Sequence, residues 1–240
     1  LRNDGTHRLF ASVDPRLRVI EKGFESLAQG LLDQQLAYQD QHLRQLQARF
    51  AHALPGVTLI SQVRWFDSVN GRMEGPSDIW LLDGRISSIT SPGRARIDPD
   101  HVIDGRGQTM LPGLIDMHVH YSVDQGLSRI AAGVTSLREM GNQNRDLRRL
   151  KARIDRGELL GPTLFPAGFI EGRSRFASRN GFVVDNLDEA RTAVDWYAAR
   201  GYRQIKLYNS IRPEWLEPLT AHAKRHGLKV AGHVPAFLRA

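Results

Sequence analysis

With 240 residues, 41% of them hydrophobic, the chain has apolar material for one large domain or two small ones. It has no cysteine, which excludes disulfides and thiolate metal sites and leaves histidine, carboxylate and modified lysine as protein ligands for any metal. The net charge of +7 is scattered (Arg94 and Arg96, Arg148 and Arg149, Arg173, Arg175 and Arg179) without an aromatic-interleaved basic stripe, so it reads as solvated surface, and a nucleic-acid partner is not expected.

Residues 14–50 read as one long helix. Asp14 can cap it and Pro15 suits its first turn. Leu17, Ile20, Phe24, Leu27 and Leu31 recur at spacings of three and four, and Leu36, Leu43, Leu46 and Phe50 continue on a shifted seam. One apolar stripe on a Gln-rich helix points to packing rather than chemistry. Pro55-Gly56 ends the helix, and the pattern changes to period two. Val57, Leu59 and Val63 mark a strand and Asn70-Gly71 a turn. Ile79 to Leu82, Asp83-Gly84 and Arg85 to Ile89 read as a hairpin with a two-residue turn. A last short strand lies near Val102 and Ile103, so residues 57–110 form a small β-rich unit.

After Pro112-Gly113 strands and helices alternate. Strands fit at 114–120, 134–140, 163–169, 202–208 and 228–233, and helices near 124–132, 143–156, 187–200 and 213–226. Pro213 opens the last helix, and Gly201 and Gly227 stop two of them. Regular βα alternation argues a parallel sheet with helices outside, either open or part of a barrel. No apolar run approaches the roughly 20 residues of a membrane helix. The chain opens on Leu1 without a signal-peptide pattern, so a start further upstream is expected and the compartment, cytoplasm or periplasm, stays open.

Three strand ends carry chemistry. His118 and His120 stand two apart in Leu111-Pro-Gly-Leu-Ile-Asp-Met-His-Val-His120, so both imidazoles share one face of a strand. Lys206 lies in Gln204-Ile-Lys-Leu-Tyr208; most lysines snorkel to water, but a buried one has a depressed pKa and a nucleophilic amine. His233 closes Lys229-Val-Ala-Gly-His233, where Gly232 leaves room for close approach. Placed at the C-terminal ends of strands one, four and five, the four side chains converge if the sheet closes into a barrel, whose sites lie at that face.

The stretch from Val102 to His120, with Ile79-Trp-Leu-Leu-Asp-Gly-Arg-Ile86 before it, resembles the amidohydrolase superfamily. Gly133-Val-Thr-Ser-Leu-Arg-Glu-Met-Gly141 resembles the second-strand motif of its imidazolonepropionase and prolidase branch, with Glu139 where that branch often has Asp. The resemblance implies an α/β fold: an incomplete (β/α)₈ barrel of about five βα units over residues 111–240, a small β-sandwich half over 57–110 and a helical extension over 1–56. It implies a metal-dependent hydrolase of an amide-type C–N bond in a small-molecule, dipeptide-like or cyclic amide substrate. His118 and His120 would bind one ion, a carbamate formed from carbon dioxide on Lys206 would bridge, and His233 would bind a second. One or two Zn²⁺ ions suit such ligands.

The family also uses a histidine on strand six and a catalytic aspartate on strand eight. Neither is found before Ala240, and 111–240 is about half the usual barrel, so an N-terminal fragment, inactive alone, is expected. Tyr208 shares the face of Lys206, and Arg173 lies in the loop after strand three with Arg175 and Arg179; Tyr208 and Arg173 are candidate substrate contacts. His7, His42, His52, His101, His222 and His226 receive no ligand role. The alternative is a non-catalytic barrel scaffold or binding module. A homo-oligomer is compatible with the sequence.

Overall fold

The computed structural model describes residues 5, 8–15, 17–94 and 97–236; His7 and Arg96 lie outside the described residues. The N-terminal region departs from the single helix expected. Strands β1 (Ala11–Val13) and β2 (Arg18–Ile20) form a small antiparallel hairpin, and helix α1 spans Ala28–Phe50 after a 3₁₀ turn at Glu25–Leu27. Asp14 does not cap a helix: its carboxylate accepts from the Leu17 amide at 3.0 Å while its own amide donates to the Leu17 carbonyl at 3.0 Å, closing the hairpin end. Gly23, at φ +94°, then turns the chain, and Phe24 meets Phe10 edge-to-face at 5.2 Å. Three-and-four spacing over so short a run fits a folded-back hairpin as well as a helix. Along α1 only Leu32 is buried, and Leu36, Tyr38 and Phe50 are exposed.

The second sheet follows the expected meander. Strands β3 (Val57–Asp67), β4 (Arg72–Leu82) and β5 (Arg85–Thr90) are antiparallel neighbours, and β6 (His101–Asp104) and β7 (Thr109–Met110) pair parallel to β3 on its other edge. Asp83 and Gly84 both take positive φ, the geometry of a two-residue turn matched to strand twist.

From Leu114 onward every strand pairing is parallel. The elements are β8 (Leu114–Val119), α2 (Gly126–Ala131), β9 (Val134–Glu139), α3 (Asn144–Asp155), β10 (Thr163–Pro166), β11 (Gly168–Gly172), β12 (Phe182–Val184), α4 (Leu187–Ala198), β13 (Gln204–Leu207), α5 (Pro213–Arg225) and β14 (Lys229–Gly232). β10 and β11 are one chain path interrupted at Ala167, whose amide donates to the Glu139 carbonyl at 2.8 Å. β10 pairs with β9 and β11 with β13, so the spatial order β8, β9, β10–β11, β13, β14 follows the sequence. Short β12, not anticipated, lies against the other edge of β11.

The main core sits between this sheet and helices α4 and α5, with Ile170, Val194, Tyr197, Ile205, Ile211 and Leu219 fully buried. A smaller cluster of Leu137, Leu147 and Leu164 lies under α3. Gly168 makes the first possible: a Cβ there would meet the Tyr197 ring at 2.4 Å. Gly201 and Gly227 end α4 and α5 at φ +75° and +70°, where a side chain is strained. No helix among the described residues is long and apolar enough to cross a membrane.

Candidate metal centre

His118 belongs to β8 and His120 follows its last residue; their rings meet edge-on with centroids 5.6 Å apart. His120 Nδ1 lies 2.7 Å from the Gly141 carbonyl oxygen, just beyond β9. That oxygen only accepts, so the ring's proton sits on Nδ1 and the Nε2 lone pair is free to coordinate. His233, after β14, repeats the device: its Nδ1 lies 2.8 Å from Asn209 Oδ1, beyond the end of β13. Two imidazoles from different strands are thus held in the tautomer that a metal requires at Nε2.

Lys206 is 1% exposed, in the middle of the buried run of β13. Its ammonium nitrogen lies 5.0 Å from the Tyr208 ring centroid and 5.7 Å from that of Phe169. Burial, above all, lowers its pKa; the Arg138 charge lowers it further, and Glu139 opposes both. His118 is lowered first by burial and then by the charges of Lys206, His120, Arg138 and His233. His233 is lowered first by burial and then by Lys206 and His120, with Glu171 opposing. Lys206, His118 and His233 therefore lie in one another's field, and each of these three shifts favours the neutral form, the one that can donate a lone pair. The imidazoles do not close on a single point: among the described residues, the one His and carboxylate trio with all ligand atoms within 4.8 Å is elsewhere, at Asp195, His222 and His226.

The remaining candidates are placed differently. Tyr208 is wedged between Phe169 and His233, with ring centroids 4.8 and 4.3 Å away, beside the Lys206 amine. Arg173 is exposed and its guanidinium is engaged by Asp185. Arg175 lies over the Phe176 ring at 4.4 Å.

Three supporting residues had no role in the sequence reading. Glu139, fully buried, accepts from the Gly141 amide at 3.2 Å and lies 4.0 Å from His120 Nδ1, behind the carbonyl that orients His120. Glu171, also fully buried, accepts from the amides of Ser210 (2.7 Å), Gly172 (3.1 Å) and Ser178 (3.2 Å), tying the loops after β11 and β13 together. An acidic residue inside apolar Phe169-Ile-Glu-Gly172 was the visible signal for it. Asn209 is the third, and nothing in its local sequence marks it.

Solved structures with a similar fold include a putative prolidase from Bifidobacterium longum (TM-score 0.64, 21% identity, covering 75% of this chain and 50% of that one). A bottromycin amidohydrolase matches with TM-score 0.64 and 24% identity over 82% of this chain and 42% of its own. A Xaa-Pro dipeptidase with methionine bound in its active site matches with TM-score 0.61 and 23% identity, over 74% and 56%. The fold is that of the amidohydrolase superfamily. An adenine deaminase from Rhizobium etli, of the same superfamily, is 40% identical over 62 residues, 26% of this chain and 10% of the relative. The chain spans about half the length of the superfamily structures it matches. No protein-family profile matches it. Members of the superfamily are generally metal-dependent.

Proposed function

We propose that the mouth formed by His118, His120, Lys206 and His233 is the metal centre of a hydrolase that cleaves a C–N bond in small amide or dipeptide-like substrates. The observation that carries this reading is the shared orientation of His120 and His233, each with Nδ1 committed to an oxygen and Nε2 presented beyond the end of a parallel strand. Neighbouring structures support the substrate class: besides the dipeptidase, one is a prolidase complexed with N-methylphosphonate-L-proline.

By the same reading, residues 111–240 are the first five βα units of a (β/α)₈ barrel, 57–110 the small β-sandwich half before it and 1–56 an extension. Parallel sheets are ordinarily covered on both faces. Leu114, Ile115 and Met117 on β8 are 61%, 62% and 56% exposed, an apolar surface that further barrel elements would cover.

The donor set fits Zn²⁺, which takes imidazole nitrogen and carboxylate-like oxygen. His118 and His120 would hold one ion and His233 a second, with a Lys206 carbamate between them. Burial lowers the pKa of Lys206 and so favours the neutral amine, whose lone pair would attack carbon dioxide; the N–C bond forms and the amine proton leaves to solvent. The Gly141 carbonyl and Asn209 fix the two rings, and Tyr208 walls the space and contacts substrate. Arg173 would have to leave Asp185 to bind a substrate carboxylate. When bound, the metal supplies an acidified water and polarises the scissile carbonyl.

The test is metal content before and after chelation, with ¹³C NMR after exposure to labelled bicarbonate. Bound zinc that falls in His118→Asn and His233→Asn, and a carbamate signal absent from Lys206→Ala, are expected. Zinc content unchanged in both histidine variants overturns the reading.

A further inference from the structure

We propose a second divalent-cation site on the outer helical layer, formed by Asp195 of α4 with His222 of α5 and His226, the residue that ends it. It is separate from the mouth and does not rest on the function proposed there. His222 and His226 are four apart, on one face of the helix, with ring centroids 5.0 Å apart. Both turn Nε2 onto a single atom, Asp195 Oδ1, at 2.5 and 2.8 Å. All three ligand atoms lie within 4.8 Å of one another. His222 is largely shielded at 16% side-chain exposure, whereas His226 and Asp195 reach solvent at 38% and 51%.

His222 Nε2 is hydrogen-bonded to that Asp195 oxygen while His226 Nε2 meets it as an ion-pair contact, and a metal would take the place between the three atoms. Metal–ligand bonds of about 2.0–2.2 Å in a tetrahedron set ligand atoms roughly 3.4 Å apart. The two contacts to Asp195 therefore have to lengthen by less than about 1 Å, which the exposed Asp195 side chain can supply by rotation. The open side faces water, which supplies the fourth ligand. Two imidazoles and one carboxylate select Zn²⁺, Ni²⁺ or Cu²⁺ over Mg²⁺ or Ca²⁺.

One neighbour works against the metal. Arg225 Nη2 lies 2.9 Å from His222 Nδ1, and a guanidinium can only donate. His222 is thereby held with its proton on Nε2, the atom the ion needs. Binding at Nε2 shifts the ring proton to Nδ1, by exchange with solvent, and the new Nδ1–H forces Arg225 away. Filled, the site would clamp α4, which packs on β11 and β12, to α5, which packs on β14.

The experiment is a Zn²⁺ titration by calorimetry, with zinc counted in the purified protein, for wild type, His226→Gln and Arg225→Ala. His226→Gln should hold one zinc equivalent fewer than wild type while keeping any zinc bound elsewhere, and should lose the matching part of the zinc-induced rise in Tm. Arg225→Ala should bind zinc several-fold more tightly at that equivalent, with Mg²⁺ inert throughout. An unchanged zinc count and Tm rise in His226→Gln overturns the site and leaves a hydrogen-bonded brace. Weaker or unchanged binding in Arg225→Ala also overturns it, and this arm stands even if His226→Gln does not fold.

Discussion

Arg153 on α3 reaches Asp40 on α1, Nη2 to Oδ1 at 2.5 Å, and joins two helices 113 positions apart in sequence. Gln47 adds a hydrogen bond to the Gly157 carbonyl at 3.1 Å. Because α1 buries only Leu32, these polar contacts carry much of its attachment. Partly exposed ion pairs are worth about 0.2–1 kcal/mol, so Arg153→Ala should loosen α1 without melting the parallel sheet. Limited proteolysis should release α1 sooner, with the main unfolding transition in place. The pH dependence has a definite sign. Asp40 is held below its ordinary 3.8 by hydrogen bonds from Arg44, first, and Arg153. A depressed carboxylate stabilises the docked state above its unfolded pKa and loses that contribution as pH falls through the folded value. Protection factors for amide exchange in α1, which remove the intrinsic pH dependence of exchange, should therefore be flat above about pH 5 and fall in acid.

Much of the parallel region was legible from Gly, Pro and apolar punctuation. Gly201, Pro213 and Gly227 bound α4 and α5 because their backbone chemistry acts locally. The closeness of the His118 and His120 rings was readable for the same reason, since strand alternation is a local rule; their ligand role is a proposal. The first helix failed because Leu17, Ile20 and Phe24 satisfy a helical period while Gly23 folds them back, and spacing alone does not register a reversal. Asn209 and Glu171 reach partners 24 and 39 residues away, which come into range only after β11, β13 and β14 align. The pairing of His222 with Asp195, 27 residues earlier, and of His226 with the same residue likewise needs α4 packed on α5.

Gly232 bears on the site through the backbone. A Cβ at this position would lie 2.2 Å from the Leu207 carbonyl oxygen, which belongs to the neighbouring strand. Gly232→Ala must therefore spread β14 from β13 just before His233. Overpacking of this kind costs about 1–3 kcal/mol. A lowered Tm together with weaker metal binding is expected. A variant that loses stability but binds metal as wild type does would detach His233 from the centre.

Glu139 separates positioning from ligation. Its carboxylate holds the Gly141 amide while the Gly141 carbonyl holds His120, so Glu139→Ala should free the ring from its tautomer lock. Outer partners of this kind are worth about 10–100-fold in metal affinity. Glu139→Gln keeps an acceptor oxygen and should recover most of that loss. Metal dissociation constants for the two variants, compared with their Tm values, decide the matter: equal affinities in both would deny the positioning role.

Lys206→Met gives the sharpest contrast between stability and function. The lysine is 1% exposed among Phe169, Tyr208 and apolar strand residues, an expensive place for a cation. Burial already pushes its pKa down, which means that folding disfavours the charged form. A group lowered in this way costs stability below its unfolded pKa and stops doing so only as pH rises past that value. Methionine has similar length and no charge to desolvate. Replacing a buried charge by a packed apolar group is often neutral or stabilising by about 1–4 kcal/mol. The metal-free variant should therefore melt at or above the wild-type temperature at neutral pH, with the difference shrinking towards pH 10 and above, while carbamate formation and the metal bound through it are lost. A large drop in Tm would instead make Lys206 a structural cation, held by Glu139, and would remove the reason to place it among the ligands.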